Sequence, residues 1–599
     1  MASTATRTQE LPTRAHGWPH EARPGDLVAL SRTALVASLL LALALPASAS
    51  AQGTPAAGST PEAKAGSSTS TITGPSTGHP ATNLTEVRAI HIARMDPKVG
   101  EQRRRHGPLS PSAQSKPGTW QVDFYAGGTD RVQVIVDDAS GTVRESWTGY
   151  QIAWQMARGY PNQFGHKLNA PYVWLPLAAI FFLALFDFRR WRRMVHLDLL
   201  VLLSFGISEV FFNAANIGVS VPLAYPPLVY LLARMIWVGF RGAGQGLRPS
   251  TPTAWLAIGG AFLLGFRIAL NIADSGVIDV GYAGVIGADH IMHGQTVWGP
   301  HAFPSDNPFG DTYGPFNYYA YIPFELVLPW HGTWDTLPAA HAAAIAFDLA
   351  TVGGLFMLGR RLAGNRLGVI LGFAWAAYPF TDYALQSNSN DTLIAALLVW
   401  ALVAFGSPLK RGVLLALATL AKFAPLALAP LFAAGRCGVL DRPEPGLSRL
   451  PRARAWAFFS VAFIGVAALM LVLPAIDPGI ASFYDRTVKS QVDRTSPFSI
   501  WGQDHSLEWL QTTMKAFAIA LALLVAFIPR RRSVPQIAAL SAAILIAVQL
   551  TAEHWFYLYI PWFFGLAIAG LVGERAAPSP LILAAQRPNV DVAAGSSSF

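Results

Sequence analysis

Cysteine is almost missing from this chain: Cys437 is the single thiol in 599 residues. That excludes an intrachain disulfide framework and a cysteine-rich metal site, and thiol redox chemistry is not expected. Charge is scarce as well, at 13% of residues against 52% hydrophobic ones, and the mean hydropathy is +0.35. This balance lies outside the ordinary soluble range and reads as a polytopic membrane protein. The formal charge of +9 does not point to nucleic acid, because Arg gathers in short clusters between apolar runs, such as "FRRWRR" (Phe188 to Arg193) and "PRRR" (Pro529 to Arg532). Such clusters orient helices by staying on the cytoplasmic side.

Lys and Arg are absent altogether from Asp274 to Pro338, a stretch that carries six Asp and one Glu. Apolar segments centred near residues 180, 206, 230, 264, 348, 376, 399, 465, 521, 542 and 564 are candidates to cross ~30 Å of hydrocarbon. If the first enters from outside, the loops 188–196, 240–253, 359–366 and 407–411 face the cytoplasm, and each carries Arg or Lys. The acidic loop then faces out. Gly412 to Gly435 breaks the alternation, since Arg411 precedes it and Arg436, Arg442, Arg449, Arg452 and Arg454 follow it. With Pro425 and Pro430 breaking the helix and Lys422 at mid-depth, it reads as a re-entrant hairpin or broken helix lining a cavity. The expected fold is an all-α membrane bundle of about eleven spans plus this re-entrant segment.

Ahead of the bundle, residues 1–51 end in "RTALVASLLLALALPASASAQG", the pattern of a secretory signal with cleavage near Ala51, or of an anchor. The preceding stretch is long for an n-region, and a start downstream of Met1, such as Val28, would shorten it. Residues 52–82 are Ser/Thr/Pro/Gly/Ala-rich and read as a disordered linker. Residues 83–165 read as a small α+β domain outside the membrane, with a helix from Leu84 to Arg94 and the strand-like runs "WQVDFYAG" and "RVQVIVDDASGTVRESW", turning at "DASG". The order and the "DDASGTV" stretch resemble a PepSY-type module; an unrelated small domain reads equally well. Residues 575–599 are expected to be a cytoplasmic tail.

The stretch "IADSGVIDVGYAGVIGADHIMHGQTVWG" (Ile272 to Gly299) follows a span directly. Tyr282, Ile286, Asp289 and His293 recur there at helical spacing, which predicts an interfacial amphipathic helix beginning at Asp279. A carboxylate with no cation in its own loop suits a general base, although Asp is equally at home as a helix cap. Asp289, His290, His293 and His301 are a poor zinc pattern, and no metal is expected.

Asp-x-x-Tyr-Ala just past a span, followed by Gly, resembles the first outer loop of the C-type integral-membrane glycosyltransferases that use polyprenyl-phosphate sugars. "DTYGPFNYYAYIPF" (Asp311 to Phe324), "LQSNSND" (Leu385 to Asp391), "LAKFAPLALAP" (Leu420 to Pro430) and "SPFSIWG" (Ser496 to Gly502) resemble their family 87, mannosyltransferase-type branch. The resemblance implies a core at 253–574, with three accessory helices at 171–252. The chain departs from the family in having Asp-Val where some relatives have Asp-Glu, and in its front half. The resemblance implies Asp279 as the base and transfer of a mannose-like sugar to an envelope glycan, glycolipid or protein at the outer face of a bacterial cytoplasmic membrane, with no resident cofactor.

Substrate contacts are expected from Tyr282, Asp289, Asp311, Tyr313 and His554. The donor phosphate would need cations: Lys422 in the re-entrant segment and Arg267 near the outer end of its span, where charge is costly and usually functional, and Arg486, Lys489 and Arg494 in the second outer loop. Snorkelling is the plainer role for Arg267. A lipid flippase is the rival reading, but its expected inverted repeat is not seen.

The topology makes a direct prediction. In intact cells an impermeant maleimide should miss Cys437 and label a Ser305→Cys variant. Labelling of Cys437 would rule out the hairpin and invert everything downstream.

Overall fold

The computed structural model describes residues 83–148, 163–435 and 452–572, apart from short gaps. The expected signal segment, linker and tail, the thiol of Cys437, and His301 and Arg494 lie outside the described residues.

The amino-terminal domain is an antiparallel meander in the order β1-β2-β3-β4, formed by Ser110–Lys116, Thr119–Ala126, Thr129–Asp137 and Val143–Thr148. Alternation along β2 and β3 sends Trp120, Val122, Phe124, Val132, Val134 and Val136 to one face, where they bury Ala89, Ala93 and Val99 of two covering helices. The first helix, Glu86–Arg94, matches the sequence expectation; the second, Pro97–His106, and strand β1 do not appear in it. The reason is compositional. The second helix buries only Val99, and β1 is the polar edge "SPSAQSK", held by its ladder to β2 from Ser110↔Tyr125 to Lys116↔Thr119.

Among the described residues, six helices are long and apolar enough to cross a membrane: Met194–Asn213, Ile217–Arg241, Thr253–Ala273, Pro338–Ala363, Ala453–Met470 and His505–Phe527. The other five apolar segments form shorter helices, Pro171–Leu185, Asn365–Ala377, Asp391–Val403, Val534–Gln549 and Ile560–Gly570. At about 1.5 Å per residue none of these five reaches the ~30 Å of a full crossing on its own. Interior helices are apolar all round, so a hydropathy window cannot tell them from spans. In Val534–Gln549, for example, nearly every side chain is buried in protein.

The three front helices are bonded into the rest of the bundle. Tyr557 on the closing turn shares its hydroxyl with Ser208 Oγ (2.6 Å) and Ser220 Oγ (2.9 Å), Tyr378 Oη donates to Leu202 O (2.7 Å), and Leu247 N donates to Leu571 O (2.9 Å). Gly239 packs so closely on Leu540 that a Cβ would lie 2.3 Å from its side chain.

Arg267, expected at a phosphate, sits instead at the centre of the bundle, fully buried. Its Nη2 donates to Asp348 Oδ1 (2.8 Å), its Nη1 to Trp375 O (3.0 Å), and its Nε lies 3.4 Å from Asp382 Oδ1. Trp375 Nε1 also donates to Asp348 Oδ1 (2.7 Å), and Gln386 Nε2 to Asp382 Oδ1 (2.8 Å). The guanidinium is consumed by structure, because a charge in such surroundings is tolerated only when paired and hydrogen-bonded.

Arg267→Met should therefore strand two buried carboxylates and cost about 3–5 kcal/mol, read as a large drop in the melting temperature of purified protein in detergent. Adding Asp348→Asn and Asp382→Asn should restore most of it. A single variant that melts like wild type would show that the guanidinium does not hold the bundle.

Candidate functional site

The predicted helix after the Thr253–Ala273 span exists as Asp279–Met292, but it is not interfacial, for Val280 to Ala288 are all buried in protein. Gly281, Gly284 and Gly287 form a stripe along one face, since residues three apart lie near one another on a helix. A Cβ at these positions would lie 2.2 Å from Asn388 O, 2.6 Å from the Tyr321 ring and 2.1 Å from the Tyr318 ring. The helix is drawn into the loop around it by the absence of side chains on that stripe.

Asp279 remains exposed at the start of this helix, where the helix dipole favours negative charge. Its carbonyl accepts from Asn307 Nδ2 (2.9 Å). The competing acids differ. Asp274 is met by Lys167 Nζ (3.4 Å) and His166 Nδ1 (3.6 Å), side chains supplied from before the bundle rather than from its own loop. Asp289 lies about 15 Å further along the helix axis, 3.1 Å from His293 Nδ1. Tyr282, expected at substrate, is buried with its ring 4.7 Å from that of Trp334.

The loop after Thr253–Ala273 and a second loop, between Ala453–Met470 and His505–Phe527, meet at Asp311, whose Oδ2 lies 3.1 Å from Arg486 Nε. Burial pushes the Asp311 carboxyl up, and Arg486 pulls it back down. Trp298 Nε1 donates to Tyr313 O (3.0 Å) beneath Phe483 of the second loop, and Tyr318 Oη donates to Gly310 O (2.7 Å). Lys489 is exposed one helical turn from Arg486. The junction therefore gathers Asp311, Tyr313, Arg486 and Lys489, and Asn307 ties Asp279 to the same loop.

Lys422 ends the Pro408–Ala421 helix, where the expected break occurs before a 3-10 turn, Ala424–Leu428. Its Nζ is hydrogen-bonded to Asp391 Oδ1 and lies over the rings of Tyr559 (5.4 Å) and Trp562 (5.1 Å). His554 is half-buried nearby, with Nδ1 2.8 Å from Ser496 Oγ and its ring 6.5 Å from that of Tyr559. The sequence reading named Lys422, Asp391 and His554 but passed over Trp562, Tyr321, Asn317 and Asn390. The last two lie inside the quoted "DTYGPFNYYAYIPF" and "LQSNSND" runs, and Asn within such apolar surroundings was the available signal. Among the described residues no three of His, Cys, Asp and Glu gather as a metal site.

The loop junction yields a pH prediction. In Arg486→Met the buried Asp311 carboxyl loses its cation and holds its proton to higher pH than in the unfolded chain. The contact's stability is then present at low pH and lost as pH rises through the raised pKa. Hydrogen exchange at residues 310–319 and 480–492 should accelerate as pH rises above the ordinary carboxylate range, beyond the intrinsic increase and more than in wild type. Equal profiles would show that Arg486 does not hold the junction. No protein-family model and no curated protein matches the chain.

Proposed function

We propose that the chain is a C-type membrane glycosyltransferase of the bacterial cytoplasmic membrane, moving a mannose-like sugar from a polyprenyl-phosphate carrier to an envelope glycan, glycolipid or protein on the outer face. The reading keeps eleven crossings, the five shorter helices completing theirs through flanking turns. The observation that carries it is the exposed Asp279 on a loop that also meets the cations of the second outer loop, so that a base and phosphate partners share one assembly.

In the proposed step the Asp279 carboxylate takes the proton of an acceptor hydroxyl as its oxygen bonds to the anomeric carbon. The bond from that carbon to the phosphate oxygen breaks, and the polyprenyl phosphate leaves with the electron pair. Arg486, Lys489 and Lys422 are the cations that would offset its charge; Arg267, spent inside the bundle, is not among them. A phosphate leaving group needs no resident cofactor.

The buried Lys422–Asp391 pair at a broken helix favours a second reading, a flippase for the same lipid, since transporters also use interrupted helices. Purified protein incubated with radiolabelled polyprenyl-phosphate sugars and a cell-envelope extract separates them: labelled acceptor supports transfer, and lipid translocation without any transfer supports the flippase.

Asp279→Asn should keep the fold and donor binding while lowering turnover ~10²- to 10⁴-fold, the usual worth of a general base. Asp274→Asn and Asp289→Asn should cost far less, since neither carries the base in this reading. Near-normal transfer by Asp279→Asn at matched thermal stability would remove it from the mechanism.

A further inference from the structure

Four buried polar atoms behind Lys422 have no partner in the fold. Asn317 and Asn390 are joined through Nδ2 of Asn390 and Oδ1 of Asn317, which leaves Asn317 Nδ2 and Asn390 Oδ1 over. Asp391 Oδ1 accepts from Lys422 Nζ and from Trp562 Nε1 (2.8 Å), which leaves Oδ2. Tyr321 Oη, within electrostatic reach of Asp391, is the fourth. All four side chains are essentially inaccessible, and Lys422, Phe423, Ala424 and Tyr559 at the break in the helix are half-buried, which makes the break the side of the cluster nearest the surface.

A buried polar group left without a hydrogen bond is disfavoured, so each of the four would gain from a ligand that supplies one. Their kinds identify what they would take. Two are acceptors, one is a donor, and the tyrosine hydroxyl is both. A bare phosphate has only acceptors to offer and would meet the Asp391 carboxylate and the Asn390 carbonyl as like to like. A metal cation could not use the Asn317 amide hydrogens, and Lys422 already stands at the carboxylate. A hydroxyl-bearing ring satisfies all four, since each hydroxyl both donates and accepts. Tyr559 and Trp562, with ring centroids 4.6 Å apart, supply the aromatic wall such rings favour.

We infer that Asn317, Tyr321, Asn390 and Asp391 form the subsite for the sugar ring of the lipid-linked donor, with Lys422 at its mouth toward the phosphate. This rests on the transferase reading for the source of the ring and deepens it by separating sugar recognition from the base at Asp279.

The test uses the full chain in nanodiscs and two probes, a short-chain isoprenyl-phosphate mannose and the same isoprenyl phosphate without sugar, followed by quenching of tryptophan fluorescence. Wild type should bind the sugar-bearing probe more tightly. Tyr321→Phe, which removes a hydroxyl with no partner in the fold, should hold or raise the melting temperature and keep bare-phosphate affinity intact, while weakening the sugar-bearing probe about 5- to 10-fold, the worth of one hydrogen bond. Lys422→Gln should weaken both probes alike. Equal loss of both probes in Tyr321→Phe, or no loss of either, overturns the subsite. The two proposals fail separately: sugar preference that depends on Tyr321 without transfer to any acceptor sinks the transferase, and transfer without sugar preference sinks the subsite.

Discussion

A guanidinium with no exposed surface, deep among apolar helices, sets the terms for everything around it. Arg267 can stay there only because Asp348 and Asp382 neutralise it and Trp375 accepts a further hydrogen bond, and these partners bring three other helical segments to one point. The order continues outward. Gln386 donates to Arg267 O as well as to Asp382, and one turn beyond Arg267, Asn271 bonds Leu385 O and Asn388 Oδ1. The corner at 385–391 is thereby set, and it receives the start of the outer loop: Gly276 N donates to Gln386 O, Ile278 N donates to Ser387 O, and Gly281 closes on Asn388 O. Asp279 stands where this chain of contacts ends on one side, and Asn390 and Asp391 stand where it ends on the other.

Much of the bundle was legible because its signals are local. Pro425, Pro430 and Lys422 lie within nine residues, and the helix does break at Lys422. The start of the Asp279–Met292 helix was readable from four residues at helical spacing. What was not legible depends on partners distant in sequence. Arg267 looks like a free cation until Asp348 arrives from 81 residues away. Asp274 looks unneutralised until Lys167 and His166 reach it from before the first bundle helix. The helix at Asp279 looked amphipathic because its spacing hides a second period: the three glycines that bury it have no hydropathy to register.

The glycine stripe also accounts for the loop's density. Tyr318 and Tyr321 enter where side chains would otherwise stand, their rings against Gly287 and Gly284. Helix burial and the polar cluster behind Lys422 are thus two faces of one packing arrangement. A second tie, Asp311 to Arg486, joins this assembly to the loop between the last long spans.

The single hydroxyl of Tyr557, shared between Ser208 and Ser220, bears on how such a protein can vary over time. The front helices and the closing turn hold each other through a buried cluster of three hydroxyls, in which Ser208 Oγ also donates to Ser220 O (2.7 Å), so neither part is a neutral background for the other. Recombination that swapped the front half for one of a different lineage would import a mismatch at the centre of the bundle, not at a seam. Substitutions at 208, 220 and 557 should therefore be inherited as a set, and the front half should share the history of the rest of the bundle.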